Sequence, residues 1–137
     1  MDMTDFIELE TLRRSPKPNN YLVAPAGFCQ QSEPDDEPPI FDASARGLFS
    51  QLSELIAAER LWTLKYSDPE ALQVHFIART PLLRFKDDVY IQIIAPDADT
   101  VEQSASLAIY SGSRIGHSDL GANKKRVVAI LETLTTK

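Results

Sequence analysis

Apolar residues recur along this chain with two periods, and the periods divide it into elements. Between residues 43 and 59, Ala45, Leu48, Phe49, Leu52, Leu55 and Ile56 follow the i, i+3, i+4, i+7 stripe of an amphipathic helix. Asp42 stands where its N-cap is expected. The period then changes to two. In the run 61–67, Trp62, Leu64 and Tyr66 alternate with polar residues. In 72–79, Leu72, Val74, Phe76 and Ala78 share one face, and Gln73, His75, Ile77 and Arg79 share a partly solvated one. In 88–94, Val89, Ile91 and Ile93 oppose Tyr90, Gln92 and Ile94; in 104–111, Leu107, Ile109 and Ser111 oppose Ala108 and Tyr110. Turns are expected at Asp68-Pro69-Glu70 and at Pro96-Asp97-Ala98-Asp99. Connections this short suit antiparallel neighbours, and half-polar alternation suits a sheet buried mainly on one face. A second helix is expected over 123–135, with Val127, Ile130, Leu131 and Leu134 as its stripe and Asn123 or Ser118 as its cap.

The first forty residues lack either period. Six of the nine prolines lie there, and proline removes backbone donors and disfavours helix in the residue before it. Residues 1–40 therefore read as an extended arm packed on a domain of residues 41–137, a single domain overall. Tyr21-Leu22-Val23 is its apolar anchor, a helical turn is expected over 4–12, and 30–40 reads as an exposed loop. The expected fold is α+β: a four-stranded antiparallel meander covered on one face by two helices, with an extended N-terminal arm. Trp62, Leu64, Phe76 and Val89 should pack against Leu52, Ile56 and Leu131.

The chain has 137 residues, 43% of them hydrophobic and 25% charged. That is enough to bury a core without disulfide or metal. A net charge of −6 argues against a general binder of nucleic acid or anionic membrane, although a local basic patch is compatible with it. The single cysteine, Cys29, permits neither an intramolecular disulfide nor a Cys-based metal site. With no cation within five residues it reads as inert. The start lacks a basic stretch followed by an apolar run, and no segment approaches 18 apolar residues. A cytoplasmic protein without a transmembrane segment is expected.

Polar chemistry converges on Ser111-Gly-Ser-Arg-Ile-Gly-His-Ser-Asp-Leu-Gly-Ala-Asn-Lys-Lys-Arg126, with three glycines, four cations and three serines. One reading is an anion site. Gly112, Gly116 and Gly121 free backbone amides to turn outward, and the helix that follows presents its positive end. Arg114, Asn123, Lys124 and Arg126 are its candidate ligands, and a small anion is the candidate partner. Lys124, Lys125 and Arg126 would each be disfavoured there by about 0.3–1 kcal/mol, so an anion, or Asp119, should offset them. The other reading is structural: Asp119 and Asn123 cap the helix, and Arg114 pairs with Asp88 or Asp119.

Arg79, Arg84, Asp88, His117 and Asp119 complete a candidate polar cluster. Asp87 and Asp88 are neighbours on a strand and point to opposite faces, so they are expected in salt bridges with Arg79, Arg84 or Arg114 rather than on a metal. His75 and His117 carry no zinc spacing; no metal and no cofactor is expected. Gly112-Ser-Arg-Ile-Gly116 misses the nucleophile elbow by one place, and consecutive His117, Ser118 and Asp119 cannot aim at one another as a triad. No Walker or dinucleotide glycine pattern is present.

Three blocks, Pro18-Asn-Asn-Tyr-Leu-Val-Ala-Pro25, Arg79-Thr-Pro-Leu-Leu-Arg-Phe-Lys-Asp-Asp-Val89 and Tyr110 to Val127, resemble the bacterial and plastid family called domain of unknown function 1499. The resemblance implies no established activity. This chain departs from that pattern at His117, where another aromatic is usual, at Gly112, a common Arg position, and at Lys86, often Pro. The leading expectation is an uncharacterised, non-enzymatic binding or interaction module with an anion-binding loop at 111–126. The alternative is a small-molecule hydrolase, or another enzyme, using the same cluster. A third is a carrier of a hydrophobic ligand between sheet and helices, which requires an interior cavity of several hundred Å³.

Overall fold

Among the described residues five strands, not four, form one antiparallel sheet. A computed structural model describes residues 6–95 and 104–135. It contains β1 (Asn20–Val23), α1 (Ala45–Ala58), β2 (Trp62–Asp68), β3 (Gln73–Arg79), β4 (Lys86–Ile94), β5 (Ser106–Ser113) and α2 (Ala122–Thr135). The sheet order is β1-β5-β4-β3-β2, so the expected four-strand meander is present and the arm adds a fifth strand at its end. Tyr21 lies opposite Ser111 and Val23 opposite Ile109. The outer edge of β1 is closed by the chain itself. Leu22 N–H donates to Asp35 Oδ2 at 3.0 Å, Asp35 N–H to Leu22 O at 2.7 Å, and Ala24 N–H to Asp36 O at 3.1 Å. Segment 30–40 keeps most of its side chains exposed, yet its backbone straps the sheet edge.

Helix α1 begins at Ser44, whose hydroxyl accepts from Gly47 N–H at 3.0 Å. The expected cap, Asp42, is exposed and lies outside the helix. Leu48, Phe49, Leu52 and Ile56 are buried against the sheet, with Leu55 partly so. Asp68 Oδ1 accepts from Glu70 and Ala71 N–H, which fixes the β2–β3 turn. The turn expected at 96–99 lies outside the described residues. Of the helical turn expected over 4–12, the described part is a short 3₁₀ turn, Leu9–Thr11.

Alternation holds in β3, β4 and β5. Phe76, Val89, Ile91, Leu107 and Ile109 are fully buried on the helix face. It breaks in β2. A bulge between Leu64 and Tyr66 puts Tyr66 opposite His75, so it changes face from Trp62. Trp62 stacks on Phe76 with ring centroids 4.5 Å apart. Leu64, on the outermost strand, is 50% exposed and leaves the expected core.

The other face is covered too, against the expectation of one covered face. Leu9, Leu12, Leu22 and Ala24 of the arm pack with Tyr90 and Ala108 in a second apolar cluster. His75 is consequently buried, not half-solvated, and stacks on Tyr90 at 4.2 Å. No helix of the described residues is long and apolar enough to cross a membrane.

Candidate functional site

The signature segment begins in β5, turns at the end of the sheet and enters α2. Strand parity decides what it meets. Ser111 and Ser113 point to the helix side, as does Asp87 of β4, which pairs in register with Ser113. Helix α2 then brings Asn123 and Arg126 down onto them. Asn123 is fully buried. Its Oδ1 accepts from Ser111 Oγ at 2.6 Å and from Arg126 Nη1 at 2.9 Å. Its Nδ2 faces Asn19 O at 3.0 Å, Ser113 Oγ at 3.0 Å and Asp119 Oδ2 at 2.6 Å. One amide thus ties β5, the loop, α2 and the residue before β1 together.

Arg126 Nη1 also donates to Ser111 Oγ at 3.1 Å and lies 2.9 Å from Asp87 Oδ2. That oxygen is buried and accepts no aligned hydrogen bond. Nη1 spends its hydrogens on Ser111 and Asn123, so its attraction to Asp87 is a charge contact rather than a directed bond.

The cap of α2 is the Asp119 of the structural reading, and not Asn123 or Ser118. Its Oδ1 accepts from Gly121 N–H at 2.8 Å and Oδ2 from Asn123 N–H at 3.2 Å. Ser118 Oγ holds Leu120 N–H instead. Gly116 and Gly121 have φ of +89° and +85°, where a side chain would be strained. Gly112 lies within β5.

A second polar cluster sits on the arm side. Arg114 grips Asp88 with two bonds, Nε to Oδ2 at 2.7 Å and Nη2 to Oδ1 at 3.0 Å. His75 Nε2 lies 2.8 Å from the same Oδ1. Burial alone would raise the Asp88 pKa. The bonds with His75 and Arg114, and their charges, outweigh it and hold the carboxyl at about 2. Tyr90 is pushed up to about 12, first by burial and then by Asp88. Asp88 is therefore a firmly ionised anchor and a poor proton acceptor. Because its folded pKa lies below the unfolded value, it contributes stability above about pH 4 that is lost as pH falls toward 2. After allowance for its partial exposure that is roughly 1–2 kcal/mol. Asp88→Asn should be less stable than the parent at pH 7, by urea unfolding, with the gap closing near pH 2.

The remaining candidates lie apart. Arg79 donates to Thr63 Oγ1 at 2.9 Å. Arg84 is exposed in the β3–β4 loop with φ +59°, and His117 is exposed in the β5–α2 loop. Lys124 is exposed, 5.9 Å from the centre of the Tyr21 ring, and lines a polar groove of about 640 Å³ with Arg14 and Lys17. Among the described residues no group of three or more His, Cys, Asp or Glu is placed to hold a metal.

Pattern reading missed the apolar surface beside this network. A groove of about 510 Å³ opens between the β3–β4 loop and the β5–α2 loop. Leu82, Leu83, Phe85, Ile115 and Leu120 line it and are exposed, Leu82 to 92% and Leu120 to 90%. The only signal was five large apolar residues at positions that serve neither period.

The comparisons with known proteins bear on the whole of this construction. A family model described as "Protein of unknown function (DUF1499)" matches residues 14–134. The chain belongs to the DUF1499 family. No curated protein and no solved structure matches it. The DUF1499 match takes in β1, every later strand, α1, all but the last residue of α2 and both loops of the apolar groove. It starts at Arg14, whose guanidinium binds Asp35 at 2.6 Å and Asn20 Oδ1 at 2.9 Å in the edge strap.

Proposed function

We propose that the protein is a non-enzymatic binding module, and that its ligand-facing surface is the apolar groove between the β3–β4 and β5–α2 loops. The observation that carries this reading is the near-complete exposure of Leu82 and Leu120 beside Leu83, Phe85 and Ile115. Contiguous apolar surface of this kind marks interaction sites in folded proteins. Both loops are held in place. Thr80 Oγ1 accepts from Phe85 N–H at 2.9 Å, and Thr80 O accepts from Arg84 N–H at 3.1 Å. Leu120 has φ +54°, a conformation that costs a non-glycine residue roughly 1–2 kcal/mol, and it is maintained by Asp119 and Ser118 on either side of its peptide.

Three of the four candidate anion ligands, Arg114, Asn123 and Arg126, spend donors inside the protein, which supports a scaffold role for the polar segment. Asp88, held low, does not supply a general base. The space between sheet and helices is filled by fully buried Leu48, Leu52, Phe76 and Leu107, which disfavours a carrier with an interior ligand. The reading places the protein in a reducing cytoplasm: Cys29 is a free thiol whose pKa burial pushes up.

An apolar dye tests the surface. 1-Anilinonaphthalene-8-sulfonate should bind the parent with enhanced fluorescence. Leu82→Asn/Leu120→Asn should lose most of that signal, since Asn tolerates the left-handed backbone at position 120. Equal enhancement in both proteins would remove the groove as the binding surface.

A further inference from the structure

Resting on that docking reading, we propose that the occupant of the apolar face is the surface of an anionic phospholipid bilayer. The shape of the face favours a surface over a small molecule. Leu82 and Leu120 are 92% and 90% exposed, so they stand out from the groove rather than close around its contents. Side chains on two neighbouring loop tips, anchored to a rigid sheet end, are placed to enter the boundary between headgroups and acyl chains.

Charge selects the kind of surface. The chain carries −6 overall, yet segment 79–86 holds Arg79, Arg84 and Lys86 and no carboxylate. Arg84 and Lys86 are exposed on either side of Phe85. The acids that line or adjoin the groove are engaged inside the protein, Asp87 by Arg126, Asp88 by Arg114 and Asp119 by the first amides of α2. The exposed carboxylates of Glu33, Asp36 and Glu37 belong to the strap on β1 and do not line this groove. Apolar tips with exposed cations beside them in the chain complement lipid phosphates. An apolar protein partner would need no such cationic flank, and it is the competing occupant.

Flotation of the full chain with two kinds of vesicle tests this. With equal parts phosphatidylcholine and phosphatidylglycerol the parent should float; with phosphatidylcholine alone its binding should be about tenfold weaker or more. Leu82→Asn/Leu120→Asn should abolish flotation, and Arg84→Gln/Lys86→Gln should reduce it to the phosphatidylcholine level. The second variant touches only exposed side chains, so it reports even if the first fails to fold. Equal flotation with both vesicles, or by either variant and the parent, overturns the proposal. If the parent binds the apolar dye but not the mixed vesicles, the docking face stands and its occupant is a protein. If it binds neither, the docking reading falls as well.

Discussion

Phe76→Ala should cost about 3–5 kcal/mol of stability, among the largest losses a single core truncation gives. Phe76 has no exposed surface and sits in β3 between Leu64 of β2 and Val89 of β4. It is the fully buried side chain on which Trp62 stacks, in a core closed by Leu52, Ile56 and Val127. The sheet cannot collapse into the void, because its register is pinned on both sides by backbone pairing. Urea unfolding at pH 7 measures the loss. Trp62 emission should shift to the red as the ring loses its partner; an unchanged midpoint would mean that Phe76 is not the centre of the core.

Asp87→Ala should be about as costly, about 3–5 kcal/mol, for a different reason. The carboxylate is 1% exposed, and Arg126 is mostly buried opposite it. Removing the acid leaves a mostly buried cation without its counter-charge. The Asp87→Leu/Arg126→Met double variant should recover much of the loss, since it removes both charges. If the double variant is no better than the single one, the pair is not what holds α2 to the sheet.

The sequence made some of this legible and hid the rest for physical reasons. Both helices and the faces of β3, β4 and β5 follow from periodicity, because the helix layer packs on one sheet face and demands apolar residues at every second position there. Strand β1 was hidden because four residues between prolines carry too little alternation to read. Its pairing depends on β5, some ninety residues away. The bulge that turns Tyr66 over leaves no mark in the local pattern. The buried side of His75 depends on where the arm lies, which a sequence period cannot report. At the site, the pairing of Arg114 with a carboxylate was readable from charge. The Ser111–Asn123–Arg126–Asp87 network was not, since it exists only once α2 is laid across the sheet end. The apolar groove escaped because isolated apolar residues in loops look like connectors until their exposure is seen.

The polar residues of segment 111–126 bond inside the protein, whereas the apolar residues of that loop and of the β3–β4 loop face outward. Parallel urea unfolding of two variants tests that division most directly. Asn123→Ala should lose about 2–4 kcal/mol, because it strands the partners of a fully buried amide. Leu82→Asn/Leu120→Asn should stay within about 0.5 kcal/mol of the parent, because both side chains are already in water. The reverse outcome, a silent Asn123→Ala and a leucine pair that destabilises like a core truncation, would contradict the account.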